Sequence, residues 1–167
     1  KGKEYKFLNG IGYGIDGYCC EEGDKYKEKT GGKAPNYTKI ALKGLFGAFK
    51  PVNAEVTIDG VTESYKNVWM VPAMNGRYFG GGFMAAPKQD RLNPDKTISL
   101  VAMYSRNFIK IVIAFLLLLK GKHICMKSMI TVIEGHEFSV KLDRSATLQL
   151  DGETIPNITE YKVFSAK

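Results

Sequence analysis

Cysteine and histidine, the residues that most often crosslink small domains or hold metals, are both scarce in this chain. Its 167 residues include 3 cysteines and 2 histidines, and the adjacent Cys19 and Cys20 leave no C-x-x-C spacing. An odd number of cysteines without that spacing argues against a disulfide framework and against a zinc site. Neither His123 nor His136 has a partner at metal-binding spacing, and no serine or cysteine has a neighbouring base. This pattern favours a reducing, cytoplasmic environment.

Long apolar runs are also missing. Residues 111–119 form an apolar run well short of the ~20 residues that a membrane-spanning helix requires. Because this run is apolar on all sides, it predicts a helix that is buried against a sheet or lies on a lipid surface. No charged segment followed by an apolar stretch precedes Tyr5, so no secretory signal is expected. A start at Lys1 without methionine predicts that the native protein begins upstream.

The composition is that of one globular domain. Hydrophobic residues make up 44% of the chain and charged residues 25%, which allows a core that needs no disulfide or metal. The net charge of +7 favours an acidic partner, either an anionic membrane surface or nucleic acid. No single strand interleaves aromatic and basic side chains as a surface for stacked bases would require, so a nucleic-acid partner is not expected.

Alternation of apolar and polar side chains indicates a chain made mostly of strands. The predicted strands are residues 5–8 continuing through 11–15, 52–58, 61–65, 67–73, 97–104, 129–134, 138–142, 146–150 and 161–164. Apolar residues at helical spacing predict helices from Asn36 to Phe49 and from a Ser105 cap to Lys120. Residues 19–33 fit either a short helix or a loop. The predicted fold class is therefore mainly β, a β-sandwich-like domain with two or three covering helices.

Residues 12–17 read Gly-Tyr-Gly-Ile-Asp-Gly and match the G-x-G-x-x-G dinucleotide pattern by their letters. That fingerprint needs a following helix, a second parallel strand and an acidic residue ~20 positions further on. Ala34-Pro35-Asn36-Tyr37 occupies that last place. We therefore predict a tight turn here and no dinucleotide site.

Two other segments carry a family resemblance. Residues 75–87 read Asn-Gly-Arg-Tyr-Phe-Gly-Gly-Gly-Phe-Met-Ala-Ala-Pro, and Asp151-Gly152-Glu153 follows near the end of the chain. The first resembles the NGR-x-x-GGG-x-x-x-AP signature of the diacylglycerol kinase-like lipid kinases, the bacterial diacylglycerol and sphingosine kinase type, and the second resembles their DGE motif. Residues 7–17 are similar to the segment that opens their C-terminal domain. The GGDGT nucleotide-binding loop of their N-terminal domain is absent from these residues, so the resemblance implies the C-terminal domain alone.

The resemblance also implies roles for individual residues. Glu153 becomes the candidate base for the lipid hydroxyl, and Asp151 a metal- or network-organising partner. Without the resemblance, Asp-Gly is simply a common turn between two strands. Asp16 would face the lipid-substrate cleft, or else accept hydrogen bonds from the local backbone. Gly80, Gly81 and Gly82 would shape the sheet near that cleft, with a phosphate cradle as the alternative.

Family members hold a structural magnesium ion after the Ala-Pro pair, and Asp95 is the candidate ligand in this chain. Lys96 stands where glycine is usual and Ser99 where a second acid is usual. Because a hard divalent cation prefers several oxygen ligands, some of them anionic, Asp95 alone makes a poor site. Arg77 could pair with a phosphate or carboxylate through its planar fork, or form a structural ion pair.

The resemblance implies ATP-dependent transfer of the γ-phosphoryl group to a lipid hydroxyl such as that of diacylglycerol. ATP and Mg²⁺ would be bound mainly by the missing N-terminal domain, so the fragment alone is expected to be inactive. The expected partners are a membrane lipid, an anionic membrane surface contacted peripherally from the cytoplasm, and the protein's own N-terminal domain, with a homodimer left open. A stand-alone lipid-binding module and a catalytically degenerate homologue are the alternatives.

Overall fold

A computed structural model describes residues 2–79 and 82–165 of the chain. Its elements follow one another in the order β1, α1, α2, β2, β3, β4, α3, β5, β6, β7. The strands are β1 (Gly10–Gly14), β2 (Val52–Ile58), β3 (Val61–Met74), β4 (Ile98–Tyr104), β5 (Ile130–Gly135), β6 (Glu137–Leu150) and β7 (Glu153–Phe164). The helices are α1 (Ile15–Thr30), α2 (Tyr37–Lys43) and α3 (Phe108–Leu118), with single helical turns at Gly44–Ala48 and His123–Cys125.

The strands form one antiparallel system in the order β1-β6-β2-β3-β4-β5, with β7 paired to β6 and β1 also paired to β3. Both β1 and β2 lie between the two long strands β3 and β6. β2 pairs with the first half of β3, up to Val68, and β1 pairs with residues 70–74. The four strands β3, β1, β6 and β2 are therefore paired in a closed cycle. The predicted fold class, mainly β and sandwich-like with two or three helices, is confirmed.

The glycines of β1 allow this close pairing. A Cβ on Gly12 would lie 2.5 Å from the Cα of Pro72 on β3, so only glycine fits there. The predicted tight turn at residues 12–17 is wrong, because residues 10–14 are a strand and α1 starts at Ile15. A helix does follow the G-x-G letters, but β1 is antiparallel to both of its neighbours, which excludes the parallel unit of a dinucleotide site.

Several predicted strand boundaries are also wrong. Residues 5–8 are not a strand, because the amide of Leu8 donates to the side chain of Asp151 and does not enter a ladder. The strands predicted at 61–65 and 67–73 are one strand, β3. It continues through Asn67, whose φ is +57° and whose amide donates to Asn53 Oδ1 at 3.1 Å. Such a bulge interrupts the apolar alternation without ending the strand.

In the second half of the chain, too, one continuous strand was predicted as two. Residues 138–142 and 146–150, predicted as two strands, both belong to β6, and β7 starts at Glu153, well before the predicted residue 161. The register between β6 and β7 shifts between Lys141 and Ala146. The polar stretch between the two predicted strands is thus an irregularity within a continuous strand.

The helices differ from the prediction mainly at their ends. α2 stops at Lys43, and the helical turn Gly44–Ala48 continues almost to the predicted end at Phe49. Gly47 takes a φ of +117° within this turn. The N-cap of α3 is Asn107, whose Oδ1 accepts the amide of Lys110 at 3.1 Å, and not Ser105. Residues 19–33, left open between helix and loop, belong mostly to α1.

The core is built mostly from strand side chains, to which α1 and α3 add a few. The second half of β3 and most of β4 are buried on both faces, which explains why their apolar residues are nearly continuous. α3 is apolar all round, but only one face packs inward, through Ile111, Ala114, Phe115 and Leu118. An opposite row of its apolar side chains is exposed. Within the described residues, none of the helices is long and apolar enough to cross a membrane.

Candidate functional site

Asp151 organises one corner of the molecule through its carboxylate. It lies in the turn between β6 and β7 with a φ of +48°. Its side-chain oxygens accept the backbone amides of Leu8 at 2.6 Å, Asn9 at 2.9 Å and Gly10 at 2.9 Å. Hydrogen bonds from amides to an ionised acceptor are stronger than neutral ones. Asp151 therefore fixes the segment that leads into β1.

Glu153 lies two residues further on, at the start of β7 opposite Leu150. Its side chain is exposed, and among residues 2–79 and 82–165 it makes no hydrogen bond or ion pair. Of the two acids in the DGE motif, Asp151 is thus engaged by the protein's own backbone, and Glu153 has its carboxylate available.

The Asn-Gly-Arg motif meets the same segment from the other side. The amides of Asn75 and Gly76 donate to the carbonyl of Asn9 at 2.8 and 3.0 Å, and Asn75 Nδ2 donates to the carbonyl of Leu8 at 2.9 Å. A Cβ on Gly76 would overlap Asn9 Oδ1, so this position requires glycine. The motif at residues 75–77 and the DGE turn are therefore joined through two residues of the leading segment.

A cavity of about 740 Å³ opens beside this junction, lined by Asn9, residues 76–78 and residues 89–92. Two arginines belong to the lining. Arg91 Nη2 donates to Asn9 Oδ1 at 2.6 Å, and Arg77 Nε donates to the carbonyl of Gln89 at 2.9 Å. Both guanidinium groups are therefore held by neutral acceptors at the wall of the cavity.

Asp16 lies in the first turn of α1 and is buried, with 7% of its surface exposed. In the described part of the chain, neither carboxylate oxygen has a partner with hydrogen-bond geometry. Burial raises the pKa of Asp16 to about 7, while the amides of Gly17 and Asp16 and the side chain of Gln149 oppose this rise more weakly. Such a carboxyl group can change its protonation near neutral pH.

Gln149 is a neighbour of both Asp16 and the DGE turn. Its side chain on β6 is buried and opposes the raised pKa of Asp16, and its Oε1 accepts the amide of Gly152 at 2.9 Å. Gln149 was not among the predicted site residues, because a polar residue between Leu148 and Leu150 is not a specific signal. The structure thus brings Asp16 to the same corner as Asp151 and Glu153, although Gln149 makes no hydrogen bond to the Asp16 carboxylate.

A second cavity, of about 310 Å³, lies beside the start of α1 and is lined in part by Tyr13, Tyr18 and Phe49. The rings of Tyr13 and Tyr18 have centroids 5.6 and 6.1 Å from that of Phe49. Aromatic walls of this kind suit an apolar group. Glu21 and Arg144 also line this cavity, so it combines aromatic and charged side chains. It lies close to Asp16 in the chain, since Gly14 is part of the lining.

The glycine segment, residues 80–82, lies between Phe79 and Phe83. The backbone groups of these two residues bond to each other in both directions, at 3.0 and 3.2 Å. Gly82 has a φ of +98° and open space where a Cβ would lie, while Gly80 and Gly81 lie outside the described residues. No helix starts in the described residues that follow, 82–97, so the segment lacks the helix N-terminus that a phosphate cradle would use.

Asp95 is an exposed residue of the loop that leads to β4. Its carbonyl oxygen lies 2.9 Å from His136 Nε2. Ser99, where the family has an acid, donates to Gln89 Oε1 at 2.6 Å. Across residues 2–79 and 82–165, no group of three or more His, Cys, Asp or Glu side chains is placed to hold a metal ion. The loop is instead fastened by its own hydrogen bonds, including Thr97 N to Asn93 Oδ1 at 2.9 Å, and Asp95 as a ligand stays a prediction.

His123 makes its side-chain contact with a segment distant in the chain. Its Nε2 lies 3.0 Å from the carbonyl of Ala85. The ring is fully buried, and burial lowers its pKa. His123 therefore ties the end of α3 to the Ala-Pro segment.

Known proteins share this sequence pattern and fold. Residues 9–163 match the family described as the YegS C-terminal NAD kinase beta sandwich-like domain. The Bacillus subtilis (strain 168) protein named "Putative lipid kinase YtlR" is 25% identical over 170 residues, which cover 96% of this chain and 52% of that protein.

Two solved structures from Bacillus anthracis strain Sterne have the same fold. One, named "A putative diacylglycerol kinase", aligns with a TM-score of 0.58 at 16% identity, over 95% of this chain and 51% of that one. Another, described as a diacylglycerol kinase, aligns with a TM-score of 0.56 at 16% identity, over 95% and 50%. The chain spans about half the length of these relatives. It belongs to the family of YegS-type C-terminal beta sandwich-like domains, which confirms its resemblance to the diacylglycerol kinase-like lipid kinases.

Proposed function

We propose that this chain is the lipid-substrate half of an ATP-dependent kinase that phosphorylates a hydroxyl group of a membrane lipid such as diacylglycerol. One observation carries the proposal. Three motifs that are far apart in the sequence, at residues 8–10, 75–77 and 151–153, meet at one corner and are held together by backbone and side-chain hydrogen bonds. Such a junction supplies a rigid platform for a reacting group.

In this proposal Glu153 is the general base and Asp151 is the positioning residue. The lipid hydroxyl oxygen forms a bond to the γ-phosphorus, the bond from that phosphorus to ADP breaks, and the hydroxyl proton passes to the Glu153 carboxylate. The geometry supports this division, because Asp151 already accepts three amides whereas Glu153 is exposed. Asp16 and Gln149 would line the approach of the lipid head, and the aromatic side of the cavity near Tyr13 would receive part of an acyl chain.

We propose that ATP and Mg²⁺ are bound mainly by an N-terminal domain outside this chain. The described residues offer no cluster of metal ligands, and no helix N-terminus for phosphate follows the glycine segment in the described residues 82–97. The metal would supply neutralisation of charge on the transferred phosphoryl group. This chain's own contribution is the base, the platform and the lipid site, so the chain by itself is expected to be inactive.

A lipid substrate also requires contact with a bilayer, and α3 offers a surface for it. Ile109, Ile113 and Leu116 are 70%, 44% and 64% exposed and lie on one face at positions i, i+4 and i+7. No acidic residue occurs between Asp95 and Glu134, while that stretch contains several basic residues. An apolar row among basic residues suits the surface of an anionic membrane. We propose peripheral, cytoplasmic contact through this face.

The same face favours the second candidate function, a stand-alone lipid-binding module. Such a protein would bind vesicles without any dependence on nucleotide. The variant that tests the membrane surface is Leu116→Gln. Val61→Gln is the control, since Val61, the first residue of β3, is equally exposed (67%). Leu116→Gln should weaken sedimentation with phosphatidylglycerol-containing vesicles, and Val61→Gln should not. Equal binding by both variants would contradict the assignment to α3.

The kinase proposal is tested in mixed micelles with the full-length protein, diacylglycerol and radiolabelled ATP. Glu153→Gln should lower kcat by at least about 100-fold, the lower end of what a general base contributes, with an unchanged urea midpoint. Glu160→Gln, an exposed acid on the same strand, is the control and should retain full activity. Asp151→Asn should instead lower the free energy of unfolding by about 1–3 kcal/mol, because three amides lose a charged acceptor.

The outcomes separate the hypotheses. Wild-type kcat in Glu153→Gln would remove the base assignment. No transfer to diacylglycerol or related lipids by the full-length protein would favour the binding module or a degenerate homologue. Transfer by the present chain without any further domain would overturn the divided active site.

A further inference from the structure

We propose that Arg77 and Arg91 form a binding subsite for a phosphate group in the cavity beside the DGE turn. This inference rests on the proposed function, since it names the chemical group that the same corner recognises. It assigns a phosphate-binding role to the Asn-Gly-Arg motif, at the wall of the 740 Å³ cavity, and not to the glycine segment.

The position of Arg91 is set by two neighbours. Its Nη2 donates to Asn9 Oδ1 at 2.6 Å, and a Cβ on Gly76 would lie 2.7 Å from Nη2 and 2.9 Å from Nε. The guanidinium group therefore lies directly against the backbone of Gly76, in space that only glycine leaves open. A single donor is used, so the remaining N–H groups of Arg91 have no protein acceptor in the described chain.

Arg77 is held in a complementary way. Its Nε donates to the carbonyl of Gln89 at 2.9 Å, and Gln89 is itself buried and fixed by Ser99 and Thr97. The two terminal nitrogens of Arg77 make no further hydrogen bond within the described residues. Gly76 leaves room for the guanidinium group of Arg91, and the next residue is Arg77. Both guanidinium groups therefore lie at one wall of the cavity, and each has N–H donors that no described residue accepts.

The charges at this wall are not balanced by the protein. Within residues 2–79 and 82–165, no carboxylate lies within 4.0 Å of Arg77 or Arg91. Asp90 also lines the cavity, with its Oδ1 accepting the amide of Leu92 at 3.0 Å, so one carboxylate faces two guanidinium groups and an excess of positive charge remains. Planar guanidinium forks match the oxygens of a phosphate group, which they bind bidentately. A phosphate group therefore complements both the unused donors and this excess positive charge.

The site's surroundings indicate that the phosphate belongs to a larger molecule. The cavity is several times larger than one phosphate ion, and Tyr78 and Leu92 are exposed along it, by 47% and 89%. These side chains could contact an apolar or aromatic part of the ligand. A nucleotide and the phosphorylated head of a lipid both satisfy this description. Phosphate recognition is their shared chemistry.

The test is a titration of this chain at 0.15 M salt with inorganic phosphate, with ATP, and with phosphatidic acid in phosphatidylcholine vesicles. Binding is followed by calorimetry and by the Arg Nε–H resonances in NMR spectra. The double variant Arg77→Gln/Arg91→Gln should weaken binding of at least one phosphate-bearing ligand by at least ten-fold. Lys29→Gln/Lys33→Gln removes two positive charges from exposed positions outside both the cavity and the α3 surface. It serves as the control and should bind like the wild type.

Each possible result either supports or overturns the phosphate subsite. A selective loss in the double variant supports the subsite, and the ligand affected identifies the source as nucleotide or lipid. Equal affinity in the wild type and the double variant overturns it, as does an equal loss in Lys29→Gln/Lys33→Gln, because the change in net charge would then explain the loss of binding. Full kinase activity in a double variant that has lost phosphate binding would overturn the subsite's role while leaving the proposed kinase function intact.

Discussion

Replacing Asp16 by asparagine should change the pH dependence of stability in a defined direction. The pKa of Asp16 is raised from 3.8 to about 7 by burial. Between these values the unfolded chain is ionised at this position while the folded protein keeps the proton, so the folded state binds more protons. The free energy of unfolding of the wild type therefore decreases as pH rises from 4 to 7. Over about three pH units, at 1.36 kcal/mol each, the loss amounts to about 4 kcal/mol.

Asparagine has nearly the same shape as aspartic acid but cannot ionise. In Asp16→Asn, position 16 therefore does not lower the free energy of unfolding as pH rises. The variant should be as stable as the wild type near pH 4 and more stable by up to about 4 kcal/mol at pH 8. His123 has the opposite effect, because its lowered pKa reduces stability as pH falls below about 6.5. Since His123 is present in both proteins, its contribution cancels in the difference.

The assay is urea unfolding at several pH values from 4 to 8, followed by the fluorescence of Trp69, the chain's single tryptophan, which is buried. Glu55→Gln, an exposed acid on β2, should show the same pH profile as the wild type. A constant stability difference between Asp16→Asn and the wild type across this range would refute the reasoning, since it would mean that Asp16 is ionised normally in the folded protein.

Two further outcomes follow from packing and burial. Gly12→Ala should lower the free energy of unfolding by about 3 kcal/mol, because its Cβ would lie 2.5 Å from the Cα of Pro72 and a strand would have to move; an unchanged urea midpoint would contradict this. Burial raises the pKa of Cys19 to about 12 and that of Cys20 to about 11, so at pH 8 their thiolate fractions are on the order of 10⁻⁴ and 10⁻³. Iodoacetamide should therefore modify the exposed Cys125 well before either of them, as read by mass spectrometry of timed digests.

The main errors of sequence interpretation come from irregular positions inside long strands. Positive φ at Asn67 and a shifted register near Ala146 interrupt the apolar alternation, yet β3 and β6 continue through them. Local patterns cannot distinguish such a bulge from a turn, because both place polar residues at the same positions. Continuity depends on the neighbouring strand, which supplies the hydrogen bonds. In contrast, the ends of the strands predicted at 52–58 and 61–65 agree with the structure, because Asp59 and Gly60 between them take the positive φ that a two-residue turn requires, and this is a local requirement.

The sequence by itself determined the β-rich class, the hairpin turns and the family, because alternation, turn chemistry and short motifs are local properties. Only the tertiary structure decided what the motif residues do. In the folded protein, Asp151 accepts three backbone amides that are distant in the chain, and Asp16 is buried. The tertiary structure also placed Arg77 and Arg91 at one cavity. Burial and contacts between residues far apart in the chain set the charge and geometry of a site, and neither is written in any single segment.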